Sequence, residues 1–198
     1  MAVKAGCIGV FIRFESPTPE GLAEVGKKFN LLRQRDLRES VRRIQNHGIL
    51  VVGSFITGLD IDEPGIGLRV ARSADQYGVD NLNVLFLTPL PGTRLWEQMK
   101  AQDRIPLNAF PDDWKYYTLT YPVGRYRHLS LDGIIGEMTA CNRNFYSIPR
   151  ILWRMGRHVS RGRNPLFSVV GNFSCRRNSR LLGRLYADFR RQEGSRFG

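Results

Sequence analysis

The chain has 198 residues, 42 % of them apolar and 24 % charged, enough for one or two domains with a hydrophobic core and inconsistent with a mainly disordered chain. No apolar run approaches the roughly 20 residues that span a bilayer, and the opening MAVKAGC lacks the apolar stretch of a secretory signal. The net charge of +12 is unevenly placed: residues 1–122 carry 15 basic and 14 acidic side chains, residues 123–198 carry 15 and 4, and every basic residue of the second part is arginine.

GVFIRFE, residues 9–15, is short and apolar and reads as a strand. Thr18 and Pro19 form an N-cap followed by proline in the first turn, and Leu22, Val25 and Phe29 then share a helical face. Asp36, with Glu39 three residues on, makes a capping-box pattern for a second helix. Leu37, Val41 and Ile44 recur along it at helical spacing, and Gly48 supplies a left-handed stop. ILVVGSFI, residues 49–56, is a continuous apolar run of the kind buried on both faces of a parallel sheet. Ile66, Val70, Ala74 and Tyr77 predict a third helix ended by Gly78, and LNVLFLT, residues 82–88, a third strand. A helix through Leu95, Trp96 and Met99 follows Thr93.

These are three strand–helix units whose strands begin 33 to 40 residues apart, the length of a βα unit, so parallel strands with right-handed crossovers are expected. Three such strands leave two open edges. Half of a (β/α) barrel, or a small open α/β sheet, accounts for the pattern. Beyond the boundary near Tyr121-Pro122 the chain is mainly helical and Arg-rich. A helix fits residues 130–146, with Leu131, Ile134, Met138, Cys141 and Phe145 on one face; Pro149 restarts the chain, and Ile151, Leu152, Trp153 and Met155 are interleaved with Arg150, Arg154 and Arg157. Leu181, Leu182, Leu185 and Phe189 form the stripe of a last helix, among Arg180, Arg184, Arg190 and Arg191.

Ligands of parallel α/β folds bind at the carboxyl ends of the strands. Three loops are therefore candidates: Glu15-Ser16, the stretch from Gly53-Ser54 to Thr57-Gly58-Leu59-Asp60, and Thr88-Pro89-Leu90-Pro91-Gly92-Thr93. The same residues also suit solvated loops and turns. Two nucleotide motifs fail. Gly21 to Lys27 fits a P-loop until Lys28 stands where Ser or Thr belongs, and Gly65-Ile66-Gly67 has Val70 in place of the third small residue of a dinucleotide fingerprint. His47, His128 and His158 lie far apart, and the three cysteines (Cys7, Cys141, Cys175) make neither a disulfide framework nor a metal knuckle. No metal site is expected, and a reducing cytoplasm is the expected compartment.

AGCIGVFIRFES, HGILVVGSFITGLDID and NVLFLTPLPGT, in that order, resemble the second half of a radical S-adenosylmethionine enzyme of the class with an N-terminal cobalamin-binding domain. The resemblance covers roughly residues 5–122, and the tail resembles that class's C-terminal extension. It implies an α/β fold: the C-terminal half of a partial (β/α) TIM-type barrel over residues 1–122, then a helical basic extension over 123–198. It also implies that Glu15 and Ser16 face the ribose or amino acid part of S-adenosylmethionine. Gly53, Ser54 and Gly58 would line the fifth barrel strand, with Leu87, Thr88 and Pro89 near the adenine. Arg13 replaces the family's glycine two residues before the glutamate and is expected to crowd the ligand or point out of the barrel.

The family's C-x-x-x-C-x-x-C loop, which binds a [4Fe–4S] cluster, is absent from these 198 residues. The expectation is a fragment, inactive alone, whose full-length parent holds the cluster and cobalamin, and whose partner is a companion chain or a second copy. The alternative is a non-enzymatic basic module on an anionic membrane surface or nucleic acid. The Arg-rich tail equally suits a solvated face that packs its apolar stripe on the barrel; peripheral membrane contact is the next reading, and no nucleic-acid recognition motif is present.

Overall fold

The structure, a computed structural model, describes residues 3–26, 34–160 and 166–198. It is a mixed α/β fold with one three-stranded parallel sheet of order β1-β2-β3 and, among the described residues, seven α-helices. The strands are β1 (Gly9–Glu15), β2 (Leu50–Thr57) and β3 (Asn81–Phe86). The helices are α1 (Pro19–Glu24), α2 (Gln34–Asn46), α3 (Ile66–Tyr77), α4 (Arg94–Ala101), α5 (Leu131–Phe145), α6 (Ile148–Val159) and α7 (Leu166–Glu193).

Alternation along the strands decides which face meets the helices. Phe14 of β1, Val51 and Phe55 of β2, and Leu82 and Phe86 of β3 are buried against Ile66, Val70, Ala71 and Ala74 of α3. Ile134, Met138, Cys141 and Phe145 of α5 join the same cluster, so one core draws on both sides of residue 122. Helices α3 and α5 touch closely: a Cβ added at Gly67 would stand 2.1 Å from the carbonyl oxygen of Glu137. The Glu137 carboxylate also accepts from the Gly65 and Gly67 amides (2.7 and 2.8 Å), capping α3 from α5.

The two edges of the sheet differ. Along β3, the Phe86 amide donates to the Leu119 carbonyl (3.0 Å), and just ahead of the strand the Asn172 amide of α7 donates to the Asp80 carbonyl (3.0 Å). The outer edge of β1 pairs with no described strand, and Ile8 and Phe11 beside it are exposed.

Four elements differ from the sequence expectation. Helix α1 ends at Glu24, because Val25 is its C-cap and Gly26 adopts φ 73°, so Val25 does not extend its face; Phe29 lies outside the described residues. Helix α2 spans Gln34–Asn46, past the expected start at Asp36, whose capping side chain is also outside them. Strand β3 stops at Phe86, which leaves Leu87 and Thr88 in the following loop. The last helix is 28 residues long, and its buried face is Ser168, Asn172, Tyr186 and Phe189. Leu181 and Leu185 are exposed instead, since each residue turns a helix by about 100° and both lie one step off that face.

Candidate cofactor-binding site

The carboxyl ends of the three strands lie side by side in register. Arg13 pairs with Ser54 and Ser54 with Asn83, so by strand alternation these three form a polar row on the face away from the α3 core. One position further the register slips between Arg13 and Glu15, a bulge at the end of β1. Glu15 there adopts φ 70°, a left-handed conformation costing a non-glycine residue of order 1–3 kcal/mol. Its side chain is 3 % exposed, and Nε of Arg13 lies 2.9 Å from Oε1. The arginine thus turns onto the glutamate, with its own side chain 65 % exposed.

Ser16 is buried with its hydroxyl committed locally: the Thr18 amide donates to it (3.2 Å), and its Oγ lies 3.3 Å from Oγ1 of Thr18. Gly53 faces the core, where an added Cβ would meet Val79 at 2.8 Å and Phe14 at 3.1 Å. At Gly58, with φ 96°, it would strike the Tyr126 ring at 2.4 Å. The Tyr126 hydroxyl in turn donates to the Leu87 carbonyl (3.1 Å), tying the ends of β2 and β3 together. Thr88 is buried and donates to the Phe86 carbonyl (3.1 Å). Pro89 is buried beside it. The edge therefore brings Glu15, Ser16, Ser54, Gly58, Leu87 and Thr88 to one end of the sheet, while Gly53 serves packing on the opposite face.

Two aspartates shape the loop after β2. Asp62, 1 % exposed, accepts from the amides of Gly58 (2.9 Å) and Leu59 (3.0 Å). Burial lifts its carboxyl from 3.8 to about 6, against the opposing pull of those two amides. Asp60 is clasped by Arg104 (2.6 Å) and Arg127 (2.9 Å), so its carboxylate holds the loop to later segments. A cavity of about 640 Å³ opens here, lined in part by Leu59, Asp60, Leu87, Met99, Arg104 and Arg127. Of the candidate loop residues read from the sequence, Leu59, Asp60 and Leu87 line it.

Sequence reasoning missed Asn83, Asp62 and Tyr126. Asn83 was recoverable from the two-residue alternation of β3, once registered against Ser54. Asp62 and Tyr126 carry no local signal, because their partners are set by the loop and the tertiary fold. Also missed was a buried polar cluster at the amino end of the sheet. Asp80 accepts there from the Val51 amide (2.8 Å) and from Gln45 (3.0 Å), and Nε2 of His158 lies 2.8 Å from its other oxygen.

Among the described residues, no three His, Cys, Asp or Glu side chains stand close enough to hold a metal ion. Cys141 is a core residue whose thiol burial pushes up to about 12, and Cys175 lies on α7, so the thiols do not fit an iron–sulfur cluster. No described helix is long and apolar enough to cross a membrane.

A parallel α/β sheet with a polar carboxyl edge is the setting in which the similarities to known proteins stand. No protein-family profile matches the chain. It is 27 % identical over 149 residues to an uncharacterized methyltransferase of Pyrococcus horikoshii, covering 75 % of this chain and 31 % of that protein. It is 32 % identical over 96 residues to the hopanoid C-2 methylase of Rhodopseudomonas palustris, covering 48 % of this chain and 18 % of that one. With the bacteriochlorophyllide d C-12(1)-methyltransferase of Chlorobaculum tepidum, identity is 28 % over 155 residues, 78 % of this chain and 32 % of the relative. The chain is thus similar to methyltransferases and spans about a third or less of their length.

Proposed function

We propose that the chain is the C-terminal part of a methyltransferase of the radical S-adenosylmethionine, cobalamin-dependent class. In this reading residues 1–122 are the last three units of a partial (β/α) barrel and residues 123–198 its helical Arg-rich extension. The observation that carries it is the common carboxyl edge of β1, β2 and β3, with the buried carboxylate of Glu15 at its strained bulge, in a chain similar to methyltransferases.

S-adenosylmethionine, when bound, supplies the methyl group, and its amine and ribose hydroxyls are donors that match this edge. Glu15 accepts from them beside the exposed Arg13, whose guanidinium shares its carboxylate. Ser54 and Asn83 add a hydroxyl and an amide from the neighbouring strands. Ser16, Gly58, Leu87, Thr88 and Pro89 shape the rim. The cluster and cobalamin belong to the longer parent, whose preceding half, or a companion chain or second copy in its place, pairs with the open edge of β1.

Equilibrium dialysis of the 198-residue chain against labelled S-adenosylmethionine tests the site. Saturable binding, weakened at least tenfold in Glu15→Gln, is expected. Absence of binding, or binding untouched by that variant, overturns the site assignment. Anaerobic reconstitution with iron and sulfide tests the rest: a stoichiometric [4Fe–4S] chromophore overturns the reading that the cluster ligands lie outside this chain.

A further inference from the structure

Helices α6 and α7 are amphipathic the wrong way round for a water-soluble surface. The buried face of α6 carries Ile151, Arg154 and His158, and the first half of α7 buries Ser168 and Asn172. Arg154, 1 % exposed, donates to the Asn172 side chain (2.7 Å) and the Phe145 carbonyl (2.8 Å), with its guanidinium 3.9 Å over the Phe145 ring. Asn172 donates to the carbonyls of Asp80 and Ser168. Polar groups lie inside, hydrogen-bonded to the sheet end and to each other.

Most of the large apolar residues of these two segments lie outside. Ile148, Leu152 and Val159 recur at helical spacing along the outer side of α6, with Trp153 beside them. Leu166, Val170 and Phe173 do the same on α7, flanked by Phe167. All eight side chains are 40–63 % exposed. Because both buried faces converge on Asn172 and Asp80, both outer stripes turn away from the sheet. Rolling either helix to hide its stripe would break the internal polar network, so this exposure is built into the packing.

Charge selects what covers the face. Between Glu137 and Asp188 the sequence has ten arginines and no aspartate or glutamate. The α7 stripe continues into exposed Arg177, Arg180 and Arg184, and the Arg157 guanidinium sits 4.9 Å over the Trp153 ring. Beside Trp153 a groove of about 1060 Å³ adds Arg38, Arg42 and Arg43 of α2, against two carboxylates, Asp75 and the Glu39 paired with Arg43 (2.7 Å). An apolar stripe with an exposed tryptophan and a predominantly cationic border matches an anionic lipid surface. A second copy of this face would bring arginines against arginines, and a nucleic acid would leave the aliphatic stripe in water.

We propose that α6 and the first half of α7 form a monotopic docking face for anionic membrane, with Leu152, Trp153, Phe167 and Phe173 entering the headgroup boundary and the flanking arginines pairing with lipid phosphates. This does not rest on the methyltransferase reading. The test is co-sedimentation of the full chain with vesicles of phosphatidylcholine, with and without phosphatidylglycerol. Binding to the anionic vesicles is expected, with at least tenfold weaker partitioning for Leu152→Glu/Phe173→Glu and a smaller, salt-sensitive loss for Arg177→Gln/Arg180→Gln/Arg184→Gln. Quenching of tryptophan fluorescence by brominated lipid should fall in Trp153→Phe. All these side chains are exposed, and an unchanged circular dichroism spectrum verifies each variant's fold. No vesicle binding, or binding unaffected by Leu152→Glu/Phe173→Glu, overturns the proposal. So does finding that this variant abolishes only self-association, or only binding to single-stranded RNA.

Discussion

The hydroxyl of Tyr146 serves both backbone groups of Leu82, donating to the carbonyl at 2.6 Å and accepting from the amide at 2.9 Å. Leu82 is in β3, the outer strand of the sheet, where a further strand would otherwise supply these bonds. One phenol from the end of α5 replaces a neighbouring strand at this point. Burial lifts it well above the usual tyrosine range, so it is protonated at neutral pH.

Tyr146→Phe keeps the ring and removes both bonds, leaving a buried amide and carbonyl unpaired. Unsatisfied buried groups cost about 1–3 kcal/mol each, so a loss of roughly 2 kcal/mol or more is expected. Urea denaturation should show a lower midpoint at unchanged slope; an unchanged midpoint would mean that water reaches the edge.

Gly67→Ala and Gly136→Ala are the same change on two helices that touch. At Gly67 the new methyl meets the backbone of Glu137, and overpacking of this kind costs about 1–3 kcal/mol. At Gly136 an added Cβ meets nothing within 4 Å, and helix propensity favours alanine by about 0.8–1 kcal/mol. Thermal midpoints should move in opposite directions for the two variants.

Asp62 sets a pH dependence of definite sign. Its folded pKa, about 6, exceeds the ordinary 3.8, so between these values the native state holds a proton that the unfolded chain has released. Stability contributed by this group falls as pH rises through that window, by roughly 3 kcal/mol at 1.36 kcal/mol per unit. Asp62→Asn keeps an oxygen for the Gly58 and Leu59 amides and has nothing to titrate. Denaturant midpoints measured from pH 4 to 6.5 should show a flatter slope in the variant, with stability at pH 7 equal to or above that of the parent chain.

The strands and their parallel order were legible because ILVVGSFI and LNVLFLT are apolar runs separated by helical periodicity. Glu15 and Ser54 were singled out by the rule that ligands gather where parallel strands end, and the register brings both toward that edge. The tail was only half legible. Periodicity located α5 correctly, down to Cys141 as a core residue, but marked Leu181 and Leu185 as a buried stripe that the structure exposes. It also passed over Arg154, His158 and Asn172, since a polar residue buried by long-range hydrogen bonds looks like any surface residue in sequence. The Asn172-Phe173-Ser174 sequon makes the same point: Asn172 is a fully engaged interior amide.

The carboxylate of Glu137 that caps α3 has a consequence for how the chain is made. Its partners, the amides of Gly65 and Gly67, leave the ribosome some 70 residues before it does, and Tyr146 follows Leu82 by 64. During synthesis the nascent sheet therefore waits, with one helix uncapped and one strand unfinished, for groups still being translated. Chains fold from the N-terminus as they emerge, at about 5–20 residues per second, which makes that interval several seconds long. A translational stop anywhere between residues 122 and 146 would strand the three βα units without their Tyr146 lock.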